Sequence, residues 1–197
     1  MSERRPLFGL VLAGGHSRRM GHDKAALDRA GQSQLRYVFS LLEEVTDQAF
    51  VSTREDQVDD PERRPYPKIV DRYDDMGPVA GILSALETHP QVDWLVVACD
   101  LPNLDTGTLD FLIENRTSDK PFTAYRSSYD KLPEPLCAIY KSGTDVMIRT
   151  FIDDGIACPR KILIRAETKL LDQPNPNALD NVNTPDELAG SILQSAR

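Results

Sequence analysis

The chain has 197 residues, of which 40% are hydrophobic, and a formal net charge of −8. This length and apolar content suit one domain with a sizeable core, so we treat residues 1–197 as a single domain. The acidic balance argues against binding duplex nucleic acid, which requires clustered cations. No stretch approaches the roughly 20 apolar residues of a membrane span, and the start of the chain lacks the apolar core of a signal peptide. The sequence therefore predicts a soluble, cytoplasmic protein that binds neither membrane nor nucleic acid.

The three cysteines are Cys99, Cys137 and Cys158, an odd number without a C-x-x-C pair. They indicate neither a disulfide framework nor a cysteine zinc site. Cys99 lies inside an apolar run and is expected to pack as a small hydrophobe, whereas Cys158 precedes a proline and is expected to be exposed. None is assigned a catalytic role.

Apolar runs alternate with helix-like segments in the first half of the chain. The strand-like runs cover residues 7–13, 49–53, 68–71 and 94–99. Apolar residues at helical spacing predict one helix between the first two runs and another that begins at Gly77-Pro78, where proline suits the first turn. This alternation predicts an α/β fold with a parallel sheet. Residues 56–67 are predicted to form a polar, exposed loop.

After Leu101 the pattern changes. Helices are predicted near residues 106–115 and 144–154, and strands at 122–126 and 136–140, so the sheet is expected to be mixed. Pro159 can begin a short helix that reaches Arg165, although residues 162–164 alone could equally form a strand. Near the end of the chain, Thr184 to Glu187 form a T-x-x-E capping box that predicts a further helix start.

The first apolar run opens into a basic, glycine-broken segment, Gly14-Gly15-His16-Ser17-Arg18-Arg19-Met20-Gly21-His22-Asp23-Lys24. Gly14 and Gly15 permit a positive φ and close approach, so backbone N–H groups can turn toward one point, and Arg18, Arg19 and Lys24 add positive charge. Neither the G-x-G-x-x-G nor the G-x-x-x-x-G-K-[ST] spacing fits these residues. The segment predicts a polyphosphate-binding loop of another type.

Ligands of open α/β sheets bind beyond the carboxyl ends of the strands, which here are Gly14, Asp71 and Asp100. Asp100 follows a run that is apolar enough to be buried on both faces, so its carboxylate projects from the end of the sheet. Because Mg²⁺ on phosphates is commonly held by one or two carboxylates, Asp100 is the leading candidate metal ligand; an aspartate that caps the next turn is the alternative. Asn181 and Asn183 share a face if they are extended, and Asn183 is the candidate to complete the metal shell, unless both bind local backbone.

The pattern L-x-G-G-x-S-x-R-M-G-x-D-K over residues 12–24 resembles the signature of the MobA-like nucleotidyltransferases, most closely the molybdenum cofactor guanylyltransferases. Three later elements resemble motifs of that family in the same order: Asp71 with residues 77–82, residues 99–102, and residues 181–185. The resemblance implies a three-layer, Rossmann-like fold with a mostly parallel, mixed central sheet. It also implies an Mg²⁺-dependent transferase that moves GMP from GTP to the terminal phosphate of molybdopterin and releases pyrophosphate.

The same resemblance implies roles for individual residues. The expected nucleotide contacts are Leu12, Ala13, Gly14, Gly15, Lys24, Asp71 and Asp100. Lys24 and Arg19 would act on the phosphates and Asp100 on the metal, and these three are the candidate catalytic residues. Nucleotidyl transfer of this kind depends on positioning and charge neutralisation rather than on a covalent intermediate.

The acceptor side is less determined. Arg160 and Lys161 form a small basic cluster that could receive the phosphate of the acceptor, or could simply be solvated. Residues 129–136 and 158–161 depart from the pattern of the family, which leaves open cytidylyl transfer to molybdopterin or nucleotidyl transfer to a sugar phosphate. A nucleotide-binding domain without turnover, acting with proteins of molybdenum cofactor insertion or molybdoenzyme maturation, is the remaining alternative.

Overall fold

A computed structural model describes residues 5–15, 23–29, 31–181 and 193, with only the backbone at Lys24. The strands in this part of the chain are β1 (Leu7–Leu12), β2 (Asp28–Arg29), β3 (Gln32–Ser33), β4 (Gln48–Thr53), β5 (Lys68–Val70), β6 (Asp93–Ala98), β7 (Phe122–Arg126), β8 (Pro133–Tyr140) and β9 (Thr168–Leu171). The helices are α1 (Gln34–Val45), α2 (Pro78–Thr88), α3 (Thr106–Glu114), α4 (Asp145–Asp153) and α5 (Pro159–Arg165).

The central sheet has seven strands in the order β5-β4-β1-β6-β8-β7-β9. Strands β5, β4, β1 and β6 are mutually parallel, with Leu10 opposite Phe50 on one side and Val96 on the other. Strand β8 runs antiparallel to both β6 and β7, and β9 is parallel to β7. The sheet is therefore mixed and mostly parallel, as the sequence predicts.

The two faces of the sheet are covered by different helices. Alternate residues of β1 point to opposite faces, so Leu7 and Val11 pack with the core of α1 and α3, whereas Phe8 and Leu10 pack with the core of α2, α4 and α5. Central strand β6 is buried along its whole length, as expected for a parallel strand between two helical layers. These three layers confirm the Rossmann-like architecture.

Two helices begin with a proline, at the positions that the sequence predicts. Pro78 lies in the first turn of α2, after Gly77 with φ 59°. Pro159 begins α5, so residues 162–164 are helical and the strand alternative is wrong. The neighbours Ile162 and Leu163 are both buried while Ile164 is exposed, a pattern that a helix accommodates and an alternating strand does not.

The expectation of an exposed loop over residues 56–67 is wrong in one respect. A short 3₁₀ turn at Glu55–Gln57 opens the segment. Half of residues 56–67 are exposed, but the side chain of Arg63 is completely buried. A buried guanidinium is tolerated only when hydrogen bonds and carboxylates satisfy it, and those partners come from segments far from residue 63 in the sequence.

Cys99 and Cys137 are buried and Cys158 is exposed, and all three are free thiols. Burial raises the pKa of the Cys137 thiol to about 12, which makes it unreactive.

The helix predicted to begin at Thr184 lies outside the described residues. Among the helices that the structure describes, none has the length and apolar character needed to cross a membrane.

Candidate nucleotide-binding site

The parallel strands β5, β4, β1 and β6 end at one edge of the sheet, which we call the carboxyl edge. The strand-end residues Asp71, Gly14 and Asp100, which the sequence singles out, therefore lie along the same edge. Hydrogen bonds extend the pairing past the strand ends: Asp71 N donates to Thr53 O at 2.8 Å and Cys99 N donates to Leu12 O at 3.3 Å. These bonds hold the first residues of each loop in line with the sheet.

Asp71 is held from two sides. The hydroxyl of Ser52 donates to Asp71 Oδ1 at 2.7 Å, and a Cβ atom at Gly14 would lie 3.2 Å from Asp71 Oδ2. Burial raises the pKa of the Asp71 carboxyl, although the Ser52 hydrogen bond and the charge of Arg54 lower it in part. The carboxylate is thus fixed beside the glycine loop, with one oxygen against Ser52 and the other facing Gly14.

The glycines of the loop after β1 do not adopt the left-handed backbone conformation that the sequence suggested. Neither Gly14 nor Gly15 has a positive φ, and that expectation is wrong. At Gly14 the requirement is instead the close approach of Asp71, and a Cβ at Gly15 would meet no atom of the described residues within 4 Å. Ala13 is buried and Gly15 is exposed, so the loop rises from the core to the surface within three residues.

Two arginines bind the carbonyl groups of this loop. Arg54, the residue directly after β4, donates through Nη1 to the carbonyl oxygen of Gly14. Arg63 donates to the carbonyl oxygen of Ala13 through Nη2 at 2.7 Å and Nε at 3.1 Å. The backbone of the predicted polyphosphate loop is therefore anchored by side chains from the segment that follows β4.

The far end of the glycine loop is also anchored. Asp23 Oδ1 accepts from Ala25 N at 3.0 Å, and this bond opens a 3₁₀ turn at Lys24–Ala26. The backbone of Lys24 thus follows a held aspartate, whereas its side chain and all of Arg19 lie outside the described residues. Their predicted contacts with phosphates remain predictions.

The start of α2 lies next to Asp71 in the chain. Ser84 inside the helix accepts from Arg72 N at 3.0 Å and donates to Ala80 O at 2.7 Å, which ties the chain after β5 to the first turns of α2. Gly81 lets the helix pack against β4, because a Cβ there would lie 2.2 Å from Ser52 Oγ. Pro78 has no N–H and Ala80 N donates to Gly77 O at 3.1 Å. The helix dipole at this end still favours an electron-rich ligand atom beside Asp71.

Asp100 is half-buried at the end of β6. The backbone after it is held by two side chains: Gln34 Nε2 donates to Leu101 O at 3.2 Å, and Arg29 Nη1 donates to Pro102 O at 3.0 Å. Arg29 is itself fixed over the ring of Tyr37, 3.6 Å from its centroid. The position of Asp100 is thus set by a braced loop.

Within residues 5–15, 23–29 and 31–181, no group of three or more His, Cys, Asp or Glu side chains is placed to hold a metal. A single carboxylate at Asp100 nevertheless fits Mg²⁺, since this ion keeps several waters and takes phosphate oxygens as ligands. Asn181 is exposed, and Asn183 lies outside the described residues. The segment before them is tied to the loop after Asp100, because Asn175 Nδ2 donates to Asp105 Oδ2 at 3.1 Å.

The predicted acceptor residues lie at the start of α5. Arg160 pairs with Asp130 at 3.1 Å and with Glu134 at 2.9 Å, and its side chain is 37% exposed; Lys161 is exposed. The Arg160 guanidinium is therefore engaged by two carboxylates, which would have to release it for a phosphate to bind there. Its role in acceptor binding stays a prediction.

Sequence reasoning did not single out Arg54, Arg63 or Ser52. The strand-end rule that found Gly14 could have found Arg54, since Arg54 directly follows an apolar run that ends at the same edge. Ser52 and Arg63 carry no such signal, because one lies inside a strand and the other in a polar segment. Only the packing of distant segments shows what they contact.

A glycine loop and two half-buried carboxylates at the carboxyl edge of a three-layer sheet define a nucleotide-binding α/β protein. The sequence model of the family described as "MobA-like NTP transferase domain" matches residues 9–168 of this chain. The chain is 37% identical over 185 residues to the molybdenum cofactor biosynthesis bifunctional protein of Synechocystis, covering 92% of this chain and 52% of that protein, so it spans about half of that relative. It is 30% identical to a probable molybdenum cofactor guanylyltransferase of Nostoc, covering 93% of this chain and 89% of that protein.

The crystal structure of molybdopterin-guanine dinucleotide biosynthesis protein A from Archaeoglobus fulgidus superposes with a TM-score of 0.77 at 25% identity, covering 93% of this chain and 95% of that one. The chain therefore belongs to the MobA-like NTP transferase family. Membership in this family makes it a nucleotidyltransferase.

Proposed function

We propose that this protein transfers GMP from GTP to the terminal phosphate of molybdopterin and releases pyrophosphate. The observation that carries the proposal is the convergence of the Gly14-Gly15 loop, Asp71 and Asp100 at the carboxyl edge of the parallel strands. The names of its relatives from Nostoc and Archaeoglobus fulgidus support guanine as the base and molybdopterin as the acceptor.

In this reaction an oxygen of the molybdopterin phosphate attacks the α-phosphorus of GTP. A new P–O bond forms there, the bond from the α-phosphorus to the bridging oxygen of the β-phosphate breaks, and pyrophosphate leaves with the electron pair. The attacking oxygen is already ionised near neutral pH, so no general base is required, and His16 and His22 have no assigned role. The task of the protein is to position the two phosphates in line and to neutralise their charge.

The residues at the carboxyl edge divide this task. The N–H groups of Gly14 and Gly15, together with Lys24 and Arg19, would bind the triphosphate. Asp71 and the first turn of α2 would contact the base or ribose, because a fixed carboxylate oxygen accepts from the N–H groups of guanine or from ribose hydroxyls. Burial beside the loop makes Asp71 a selective acceptor, since an incorrectly matched ligand leaves it unpaired.

The cofactor of this proposal is Mg²⁺, with Asp100 as ligand and Asn183 as the second candidate. When bound, Mg²⁺ would neutralise phosphate charge and orient the reacting groups. The role of Asp100 is to anchor the ion at the end of β6, where the loop after it is held by Gln34 and Arg29. A cytoplasmic location is part of the same proposal, and the free thiols suit a reducing compartment. Partner proteins of molybdoenzyme maturation remain a prediction.

The test is calorimetric titration with GTP, ATP, CTP and UTP in the presence of Mg²⁺, followed by pyrophosphate release when molybdopterin is added. We expect a clear preference for GTP that is lost in Lys24→Ala, and pyrophosphate release that requires molybdopterin. Preference for CTP would favour cytidylyl transfer, and preference for UTP would favour a sugar-phosphate acceptor. Nucleotide binding without pyrophosphate release from any acceptor would instead indicate a non-catalytic domain.

A further inference from the structure

Arg63 is a completely buried cation, and two of its partners, Ala13 and Asp23, belong to or adjoin the predicted polyphosphate loop. It lies 50 residues after Ala13 in the chain and outside every motif identified in the sequence. Burying an arginine costs several kcal/mol unless its charge and its donors are satisfied. The contacts of Arg63 therefore show what it stabilises.

The guanidinium makes five polar contacts, of which four are hydrogen bonds and one is a close ion pair. Two donate to the carbonyl oxygen of Ala13, at 2.7 and 3.1 Å. Two contact Asp23, with Nη1 to Oδ2 at 2.7 Å and Nη2 to Oδ1 at 3.1 Å. The fifth donates to Asp60 Oδ1 at 2.9 Å. Ala13 lies before the predicted polyphosphate loop and Asp23 directly precedes Lys24, so one side chain holds both ends of the loop.

These contacts also set the direction of the loop amides. In a planar trans peptide the N–H points opposite to the carbonyl of the preceding residue. Because the Ala13 carbonyl points at Arg63, the Gly14 N–H points away from it. The Gly14 carbonyl is bound by Arg54, so the Gly15 N–H likewise points away from Arg54. Within the described part of the chain, neither N–H has a hydrogen-bond acceptor, which leaves both for a ligand.

Arg63 itself is not available to a ligand. Burial lowers the pKa of its guanidinium, but the hydrogen bonds and charges of Asp23 and Asp60 raise it above its ordinary value, so the group stays charged and fully paired. A nucleotide phosphate would have to displace two carboxylates and a carbonyl to reach it. Any effect of Arg63 on nucleotide binding must therefore pass through the loop that it holds.

We propose that Arg63 is a positioning residue for the triphosphate: it fixes Ala13 and Asp23, and so holds the Gly14 N–H and the backbone at Lys24 in place at the two ends of the loop. This inference rests on the nucleotide site of the proposed function but not on the identity of the base or acceptor. Asp60 supports Arg63 from the other side of the guanidinium, since Asp60 Oδ1 accepts from Nη1.

The chain offers a matched control in the next residue. Arg64 is exposed, and its carbonyl, not its side chain, is the group that binds Lys68 Nζ. Arg63→Lys keeps the charge but removes the planar fork that reaches Ala13, Asp23 and Asp60 at once. Arg64→Lys makes the same chemical change at an exposed side chain that has no hydrogen bond to the described residues of the loop. Asp60→Asn removes the charge of a partly exposed partner of the guanidinium. This variant tests the role of Arg63 if Arg63→Lys does not fold.

The experiment compares three probes by calorimetry: GTP, inorganic triphosphate and guanosine, each with Mg²⁺, alongside the melting temperature. We expect Arg63→Lys to weaken GTP and triphosphate about 10- to 100-fold, as a displaced loop would, and to leave guanosine binding unchanged. Asp60→Asn should weaken the same two probes several-fold, and Arg64→Lys should match the wild type. For turnover, KM for the nucleotide should rise by a larger factor than kcat falls.

Two results would overturn the inference. One is a folded Arg63→Lys variant, or Asp60→Asn if that variant does not fold, that binds GTP and triphosphate as tightly as the wild type. The other is an equal loss of affinity for guanosine and triphosphate, which would indicate a general structural role. Failure of the proposed function looks different: the wild type would bind triphosphate, and Arg63→Lys would weaken it, but GTP would hold no advantage over the other nucleotides.

Discussion

The two halves of the carboxyl edge are built in different ways. The half that we propose binds the nucleotide, called the nucleotide half, is formed by the ends of β5, β4, β1 and β6. It presents backbone N–H groups and single carboxylates that neighbouring side chains hold in place. The half that we propose binds the acceptor, called the acceptor half, is formed by β8, β7 and β9 with the loop of residues 127–132 and the start of α5. It presents side chains that bind one another. In the nucleotide half, the buried side chain of Arg63 binds the ends of the glycine loop. In the acceptor half, the half-exposed side chain of Arg160 pairs with two surface carboxylates.

The acceptor half is also assembled from segments that are far apart in the chain. The Tyr129 hydroxyl donates to Asp180 at 2.8 Å although the ring is 80% exposed, and Arg160 reaches Asp130 and Glu134. Such contacts are adaptable and weakly held, since exposed ion pairs contribute little to stability. Under the proposed function, the nucleotide would therefore be bound mainly by a rigidly held backbone, and the acceptor by side chains that can exchange their partners.

The largest expected effect is that of Asp100→Ala in the nucleotide half. We expect kcat to fall by at least about 100-fold, because the variant loses the anchor of the metal, while the melting temperature stays near that of the wild type. Steady-state pyrophosphate release provides the measurement. Asp110→Ala, an exposed aspartate on α3, is the control and should keep the wild-type rate. A fully active Asp100→Ala variant would remove Asp100 from the mechanism.

Gly81→Ala tests whether the nucleotide half depends on rigid packing. A Cβ there would lie 2.2 Å from Ser52 Oγ and 3.0 Å from Leu12, so we expect a loss of about 1–3 kcal/mol in the free energy of unfolding. Urea denaturation measures it, and Ser52→Ala in the same chain should restore part of the loss. Gly107→Ala on α3, where the nearest atom is 3.6 Å away, should instead stabilise by up to about 1 kcal/mol. Equal effects at both glycines would argue against the close packing.

Asp71→Asn should separate function from stability in the nucleotide half. Burial raises the pKa of this carboxyl, so the ionised form costs stability at neutral pH and the cost disappears as the pH falls through the raised pKa. Asparagine can still accept from Ser52 without a charge. We expect Asp71→Asn to melt at a higher temperature at pH 7, to lose that advantage in acid, and to bind GTP about 10-fold more weakly because a charged acceptor is gone.

The pH series of melting temperatures decides this prediction, with Asp110→Asn as the control. A variant that is less stable than the wild type at pH 7 would show that the charge of Arg54 outweighs burial at Asp71. In that case the carboxylate would serve the stability of the loop as well as the ligand.

The smallest effect is expected from Arg160→Gln in the acceptor half. The two ion pairs are half-exposed, so their loss should cost less than about 1 kcal/mol. The affinity for GTP should not change, whereas KM for the acceptor should rise several-fold if Arg160 exchanges its carboxylates for the acceptor phosphate. Lys120→Gln, which breaks the exposed pair with Glu167, is the control and should change neither constant. Equal effects on both substrates would contradict the division into two halves.

Several parts of the nucleotide half follow from local sequence. The apolar runs before Gly14, Asp71 and Asp100 predict parallel strands, and the strand ends predict the edge where ligands bind. Pro78 and Pro159 predict helix starts that the structure contains. These features are local because they depend on the backbone preferences and apolar spacing of adjacent residues, which one segment carries by itself.

The contacts that hold the site together form only in the tertiary structure, because they join segments that are distant in the sequence. Arg63 reads as one more residue of a polar loop, yet its guanidinium joins Ala13 and Asp23 across separations of 50 and 40 residues. Gly81, Ser52 and Asp71 likewise come from a helix and two strand segments that meet only after the sheet has formed. The partners of Arg160 could not be foreseen for the same reason. The partners of a buried charge are the groups that lie next to it in the folded chain. Because these groups can be far apart in the sequence, no short sequence pattern predicts them.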